Sequence, residues 1–382
     1  MNVSNNYKKI ILIVAMISMA GITFGIAMPL STLTLKSWGI STTLIGLNSA
    51  MPALSAVLTT PFMPKFINYW GQTNVIKFCL VLVATCCICL PLFPDLFSWF
   101  ILRFLLGAGG TGIWLLSEVW INGFAEDHNR GKIIGAYSAL LSLGFIVGVL
   151  LFSVIGVESN TAFYIAAGFV LVAAIPIWTM SDLPNEMADD ISMWNHMVLS
   201  PGLMGSSWMM GFLYAATAYL LPIFALQFDL NYAQSSRTIA WLGSGELAMP
   251  LFVGWFADKI DKRKLMIFIA LVTIATLSIM PFVFSAPFMR LGILFVLGGA
   301  IMSFYSLGLT ILGQKFKGSL LASANASFIF FLCLGEIIGP PVIGTAMDLF
   351  GTFAFGWSMA LFTLIYLVIF ISAGSRTEMQ SS

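Results

Sequence analysis

The chain has 382 residues, of which 59% are hydrophobic and only 9% are charged. Soluble domains carry about 25% charged residues, so this composition excludes a soluble globular protein and indicates several membrane crossings. The formal net charge of +1 and the presence of only two histidines, His128 and His196, argue against nucleic-acid binding and against a histidine-built metal site.

Twelve apolar runs of membrane-spanning length follow one another along the chain. They cover approximately residues 10–35, 43–66, 75–93, 98–124, 133–157, 162–180, 202–226, 237–257, 264–285, 289–314, 320–346 and 352–374. The first run is too long for the core of a signal peptide and is followed by no small-residue cleavage site, so we expect it to stay as the first span. The five cysteines fall inside two of these runs and are interpreted as small apolar core residues.

The longest polar connection, residues 181–201, lies between the sixth and seventh runs. It divides the chain into an N-terminal six-helix bundle, residues 1–180, and a C-terminal six-helix bundle, residues 202–382. An internal repeat at an offset of about 190 residues aligns Gly144 and Gly148 with Gly335 and Gly339. The prediction is an all-α membrane protein of two pseudo-symmetric bundles, an arrangement that places a substrate site near the membrane midplane.

The basic residues predict the orientation. With the N-terminus inside, thirteen Lys and Arg residues fall in cytoplasmic segments, against Lys36, Arg237 and Arg290 outside. Cytoplasmic loops carry the excess of basic residues. Both termini and the central loop are therefore predicted to be cytoplasmic, in the inner (plasma) membrane.

The fourth run contains two charged residues, Arg103 and Glu118. At about 1.5 Å per residue they lie about 22 Å apart along the helix and cannot pair. Charges at this depth usually face a bundle interior or a water-filled cavity. Arg103 either holds an anionic group or snorkels to the outer interface, and Glu118 is either a titrating site or the ion-pair partner of Arg130.

Glu246 and Glu336 each lie near the middle of a predicted span, with no lysine at matching depth. An unpaired carboxylate in a low-dielectric site can bind and release a proton near neutral pH. Both are candidates for proton coupling, together with Glu118. The alternative is a permanently neutral acid that donates to a backbone carbonyl, such as one freed by Pro340 and Pro341 in the eleventh run.

Three motifs resemble those of the major facilitator superfamily (MFS). The segment from Gly254 to Lys264, GWFADKIDKRK, resembles the family's G-x-x-x-D-R/K-x-G-R/K-R/K loop, with Asp261 in place of the second glycine. Arg103 to Gly107 resembles the fourth-span arginine motif, and Gly335 to Pro340 resembles the G-x-x-x-G-P motif. The stretch from Arg103 to Tyr137 is most similar to the YcaD-like branch of twelve-helix transporters.

This resemblance implies roles for particular residues. Asp258 is expected to act as a latch against the start of the fifth span near Arg130, with Gly254, Lys259, Lys262 and Arg263 as the other residues of the gating motif. The alternative is that this loop is only a positive-inside anchor. Spans one, four, seven and ten of the family line the cavity, which makes the following aromatic residues substrate-cavity candidates beside Arg103: Phe24, Trp114, Trp208, Tyr214, Tyr219 and Tyr305.

The sequence therefore predicts a secondary active transporter that moves a small amphipathic organic molecule by alternating access, coupled to protons and leaning to export. Its expected partners are the substrate, protons and the lipid bilayer, with no nucleic acid and no cofactor, and it is expected to act as a monomer. Neither a nucleotide-binding loop nor a nucleophile–base pair is visible, so an enzyme is not expected. The alternatives are a proton-coupled uptake permease and, from another class, a non-transporting receptor or scaffold.

Overall fold

The computed structural model describes residues 3–124, 129–156, 160–179, 200–257 and 259–380. Within these ranges the chain forms thirteen α-helices. They are α1 (Val3–Ser37), α2 (Thr42–Thr59), α3 (Met63–Trp70), α4 (Gln72–Leu92), α5 (Leu96–Phe124), α6 (Arg130–Ile155), α7 (Thr161–Thr179), α8 (Pro201–Ala225), α9 (Tyr232–Ala257), α10 (Lys262–Val283), α11 (Pro287–Lys315), α12 (Gly318–Phe350) and α13 (Ala354–Gln380).

Over the described residues, eleven helical segments are long and apolar enough to cross a bilayer. The predicted sixth span coincides with α7, whose apolar stretch Thr161–Ile175 is shorter. The short helix α3 continues the segment of α2, so that Thr42–Trp70 forms one candidate span. The predicted all-helical membrane architecture is confirmed, and the count of twelve spans stays a prediction.

Several helices end at glycines with a positive φ, a conformation that side chains with a Cβ adopt at a cost. Gly71 (φ 78°), Gly156 (φ 79°) and Gly351 (φ 82°) follow α3, α6 and α12 respectively. These positions explain where the chain turns, because glycine at the residue after a helix is the commonest helix stop.

The chain divides into two compact units. The first comprises Met1–Ser37 and Met51–Asp190, and the second comprises Trp38–Ala50 and Ile191–Ser382. Most of the predicted central loop lies outside the described residues, so the predicted boundaries at 180 and 202 stay predictions. The grouping of Trp38–Ala50 with the second unit was not anticipated from the sequence.

Glycine-lined helix pairs form the interior of each unit. In the first unit, Gly21 and Gly25 of α1 face the backbone of α6 at Leu141 and Phe145, and Gly144 and Gly148 face α1 in return. In the second, Gly211 of α8 and Gly335 and Gly339 of α12 make the corresponding mutual contacts. The glycines aligned by the internal repeat therefore bring together equivalent helices, because the absence of side chains lets two backbones approach closely.

Candidate functional site

Glu336 lies on α12, where this helix packs against α8. Its neighbours Gly335 and Gly339 face the α8 backbone around Phe212, and Gly211 of α8 faces the α12 backbone at Leu332 and Glu336. The Glu336 side chain is half-buried. The close contact of the two helices therefore places the backbone of Glu336 directly beside α8.

Glu246 lies on α9, which packs against α11 through Gly245 and Gly298. A Cβ built on Gly298 would lie 3.3 Å from Cγ of Glu246. The glutamate side chain therefore packs against α11 at a position that has no side chain. Like Glu336, it is half-buried. Two helix pairs of the second unit thus each present one mid-helix carboxylate.

Tyr214 of α8 lies in the neighbourhood of both carboxylates. This half-buried phenol is within electrostatic range of Glu246, Glu336 and Tyr219. Among the residues that the structure describes, neither carboxylate has a hydrogen-bond or ion-pair partner. Since an isolated charge in a low-dielectric site is costly, a proton, water or a bound ligand has to compensate each ionised carboxylate.

Three other predicted cavity residues of the second unit pack against neighbouring rings or are buried. Trp208 stacks on Phe212 with ring centroids 5.0 Å apart. Tyr219 is 5% exposed, and Tyr305 packs on Phe328 at a centroid distance of 5.5 Å. Among the aromatic candidates on α8 and α11, Tyr214 lies within electrostatic range of both carboxylates.

In the first unit, Arg103 is 1% exposed and lies within electrostatic range of Cys87 on α4. Its side chain points into the unit, which disfavours the alternative of snorkelling to the interface. Phe24 of α1 lies against Gly110 of α5, where its ring occupies the space that a side chain at Gly110 would need. Both residues therefore contribute to the packing around α5.

Trp114 and Glu118 form a polar pair on the exposed face of α5. The indole Nε1 of Trp114 donates a hydrogen bond of 2.6 Å to Oε1 of Glu118, and Trp114 is 51% exposed. The spacing of four residues places both side chains on one face of the helix. The Arg130 side chain, the predicted partner of Glu118, lies outside the described residues.

The loop motif between α9 and α10 is described in part. Asp258, the predicted latch, lies outside the described residues. Nζ of Lys259 sits 3.4 Å from the ring centroid of Trp255, and Arg263 donates a hydrogen bond of 3.0 Å to the carbonyl of Ile371 on α13. Gly254 is exposed with open space at its Cβ position, and the half-buried Lys262 begins α10.

Asp261, which replaces the motif glycine, is the N-cap of α10. Its Oδ1 accepts a 2.9 Å hydrogen bond from the backbone N–H of Lys264. Asp is among the preferred N-cap residues, so an aspartate just before an apolar run was a usable signal. The departure from the motif therefore has a local structural reason.

No motif or spacing in the sequence predicted two other polar contacts. Trp120 donates through Nε1 to Oε1 of Gln72 at 2.5 Å, and both side chains are buried. Gln72 is the first residue of α4. A second contact, between Asp348 and the start of α2, joins helices that are far apart in the chain.

These features define a multi-pass helical membrane protein with ionisable side chains inside its helix pairs. Comparison with known proteins identifies the family to which this membrane protein belongs. The model of the Major Facilitator Superfamily matches residues 10–245 and 203–381. A relative named "uncharacterized MFS-type transporter YfkF" from Bacillus subtilis (strain 168) is 22% identical over 352 residues, covering 89% of this chain and 88% of that protein. The similarly named YcaD of Escherichia coli O17:K52:H18 (strain UMN026) is 23% identical, with 85% and 84% covered.

The chain therefore belongs to the Major Facilitator Superfamily, and it is a membrane transporter rather than an enzyme. The resemblance to the YcaD-like group is confirmed. Among solved structures, the nucleoside transporter NupG is similar with a TM-score of 0.81 and 14% identity, covering 98% of this chain and 99% of that one. An inward-facing, occupied bacterial homologue of the human lysosomal transporter Spinster also gives 0.81, with 13% identity and 97% of each chain covered. At these identities the likeness shows the fold alone.

Proposed function

We propose that this protein is a proton-coupled secondary transporter of a small amphipathic organic molecule, working by alternating access and oriented towards export. The observation that carries the proposal is that Glu246 and Glu336 lie within helices α9 and α12 of the second unit, both within electrostatic range of Tyr214. These groups lack any compensating cation among the described residues.

Proton binding is the simplest way to stabilise such a pair. Removing an ionised carboxylate from water costs several kcal/mol even after the protein relaxes, so each of the two acids is more stable in its protonated form unless another group compensates its charge. A neutral phenol can also donate a hydrogen bond to an ionised carboxylate once the two groups come within bonding distance. The cluster therefore supports a site that changes its proton occupancy during the transport cycle.

A pair of side chains in the first unit supports the proposed substrate class. The exposed Trp114 and its partner Glu118 offer an aromatic face next to a polar group, and binding sites for small organic molecules combine apolar walls with few polar points. A nucleoside transporter among the similar folds is consistent with a small organic substrate. A permanently neutral glutamate remains the structural alternative for each acid.

The first step of the test identifies a ligand. Purified protein is screened by thermal shift against metabolites and drug-like compounds at about pH 6 and pH 8, because a ligand of the native state raises its apparent stability. We expect at least one compound whose stabilisation depends on pH. A folded protein that responds to no compound in a broad panel would favour the receptor or scaffold alternative.

The second step tests coupling. In proteoliposomes, Glu336→Gln and Glu246→Gln should abolish accumulation driven by a pH gradient while substrate exchange without net proton movement continues, because glutamine imitates the protonated acid. Asp95→Asn, a change of an exposed carboxylate between α4 and α5, is the matched control. Normal gradient-driven transport by both glutamine variants would refute the coupling proposal.

The direction of proton movement separates export from uptake. If substrate and protons compete for the site, adding substrate to weakly buffered purified protein releases protons, and the protein is an exporter by exchange. If they bind together, the same addition takes up protons, as in an uptake permease. A pH indicator in the protein solution distinguishes the two.

A further inference from the structure

The short helix α3 has a buried side and an exposed aromatic side. Met63 and Ile67, four residues apart, are buried in the first unit. Phe66, Tyr69 and Trp70 are 48%, 83% and 44% exposed, and at about 100° of rotation per residue they lie next to one another on one side of the helix. A contiguous exposed aromatic surface marks a site of contact with a membrane or another molecule.

Trp70 extends this aromatic surface onto α4. Its ring lies edge-on against that of Phe78, with the centroids 5.9 Å apart. Exposed apolar side chains then follow one another along α4 at helical spacing: Phe78, Val81, Ile88 and Leu92. Because α4 is long and apolar enough to span a membrane, we expect this row to face the lipid tails. Trp70 therefore lies at the end of the row, where the tails meet the headgroups.

A second exposed row ends beside the first, on α7, which packs against α4. Its members are Tyr164, Leu171, Ile175 and Trp178, and Trp178 is the last. Nζ of Lys77, the residue before Phe78, lies 5.9 Å from the centroid of the Trp178 ring. This cation–π contact places a positive charge between the ends of the two rows, where a lysine side chain can reach the headgroups.

The charges of this region all have one sign. Residues 1–94 contain five lysines and no aspartate or glutamate. Lys65 is exposed on α3, and its spacing of four residues from Tyr69 puts both on the same side of the helix. Within the described part of the chain, neither Lys65 nor Lys77 pairs with an acidic side chain. We call Phe66, Tyr69 and Trp70 together with Lys65 and Lys77 the α3 platform.

We propose that the α3 platform binds an anionic phospholipid of the adjoining leaflet. Lys65 and Lys77 supply the positive charge that attracts its phosphate, and the aromatic side chains pack on its glycerol and upper acyl chains, since tryptophan and tyrosine favour the boundary between headgroups and hydrocarbon. In the predicted orientation this is the cytoplasmic leaflet, whose anionic lipids attract basic segments. The inference does not depend on the substrate or on proton coupling.

Photocrosslinking in nanodiscs tests the α3 platform directly. Full-length protein with benzoylphenylalanine in place of Tyr69, which is 83% exposed, is reconstituted in equal amounts of phosphatidylglycerol and phosphatidylcholine, and the crosslinked lipids are identified by mass spectrometry. We expect phosphatidylglycerol to exceed phosphatidylcholine by about fivefold or more, since one lysine at a membrane surface changes binding of anionic lipid by about that factor. Lys65→Gln and Lys77→Gln should each reduce the excess, and the double variant should return it to the ratio of the mixture.

The matched control is Lys36→Gln. Lys36 is half-buried, as Lys77 is, but it lies in the last turn of α1, near the opposite end of the candidate span Thr42–Trp70. Its replacement should leave the excess of phosphatidylglycerol unchanged. Should the probe at Tyr69 impair folding, the exposed Phe66 on the same side of α3 carries it instead.

Crosslinked lipids in the ratio of the mixture, or an excess of phosphatidylglycerol that survives the loss of both lysines, would overturn the proposal. Removal of the excess by soluble glycerol phosphate would also overturn it, because the ligand would then be a soluble anion. Crosslinks to a second copy of the chain in place of lipid would mean that the aromatic side of α3 is a protein interface. Gradient-driven transport is measured separately, so failure of the lipid proposal leaves the proposed function standing.

Discussion

Asp95 is a carboxylate whose stabilising effect depends on its ionisation. It lies between α4 and α5, where the side chain and the backbone N–H of Ser98 donate hydrogen bonds to it. These hydrogen bonds lower the pKa of Asp95 below its ordinary value of 3.8. The cap therefore stabilises the start of α5 only while the carboxylate is charged.

The resulting prediction concerns pH. A group whose pKa is lower in the folded state stabilises the protein above its ordinary pKa, and this contribution is lost as the pH falls through the folded pKa. Wild type should be slightly more stable than Asp95→Asn at about pH 6, and the difference should shrink as the pH falls below the ordinary pKa of 3.8. The measurement is Tm by tryptophan fluorescence, and a difference that does not change with pH would contradict it.

Arg103 is a buried charge that also makes polar interactions. Truncating a large buried side chain removes its packing and leaves a cavity, which costs about 2 to 5 kcal/mol. We expect Arg103→Ala to lower Tm strongly and Arg103→Lys to recover little of the loss, because an ammonium group cannot reproduce the planar fork of a guanidinium. If Arg103→Ala unfolded like wild type, Arg103 would have no structural role.

At the scale of the helix, Asp261 shows how α10 begins. Its carboxylate accepts from the N–H of Lys264, and replacing such a cap by alanine costs about 1 kcal/mol, whereas glycine costs only a few tenths. Asp261→Ala should therefore speed hydrogen exchange in the first turn of α10, and Asp261→Gly, which restores the motif residue, should do so less. Equal exchange in both variants would argue against the capping role.

Gly335 shows how two helices of the second unit pack. A Cβ there would collide with the backbone carbonyl of Trp208 on α8, and a backbone cannot move aside as a flexible side chain does. Gly335→Ala should therefore destabilise the protein by about 1 to 3 kcal/mol. Gly168→Ala on α7, where nothing lies within 4 Å of the added Cβ, should be neutral or stabilising by up to about 1 kcal/mol.

These two glycine variants are compared by Tm in the same detergent. The comparison separates the effect of the backbone collision at Gly335 from the general effect of replacing glycine by alanine, since both changes add the same methyl group to a helix. A loss of stability at Gly168 as large as that at Gly335 would show that α8 and α12 are not held together by close backbone contact.

At the scale of the whole molecule, the basic residues make a prediction about topology. Thirteen of them fall on one side of the predicted spans and three on the other, so both termini should be cytoplasmic. A fluorescent reporter that folds only in the cytoplasm should be active when fused after Ser382, and an alkaline phosphatase fused there should be inactive. The reverse pattern would mean an odd number of spans or an inverted chain.

The sequence predicted the class of this protein because each feature that identifies the class lies within a short stretch of contiguous residues. Length and hydropathy reveal each apolar helix without reference to the rest of the chain, and the predicted fourth run, 98–124, coincides closely with α5, Leu96–Phe124. The motifs around Arg103, Gly254 and Gly335 were sufficient for the family, as the family model confirms. The roles of Glu118, Glu246 and Glu336 stay predictions, because no residue pattern states what surrounds a carboxylate.

By itself, the sequence determined an all-helical, multi-pass transporter of the Major Facilitator Superfamily, since hydrophobic runs and short motifs are properties of contiguous residues. Only the tertiary structure decided which distant groups lie close together. Tyr214 is within electrostatic range of two glutamates from other helices, whereas Gln72 is hydrogen-bonded to Trp120 and Asp348 to the start of α2. The physical reason is that these contacts depend on how helices pack, and packing depends on both partners at once.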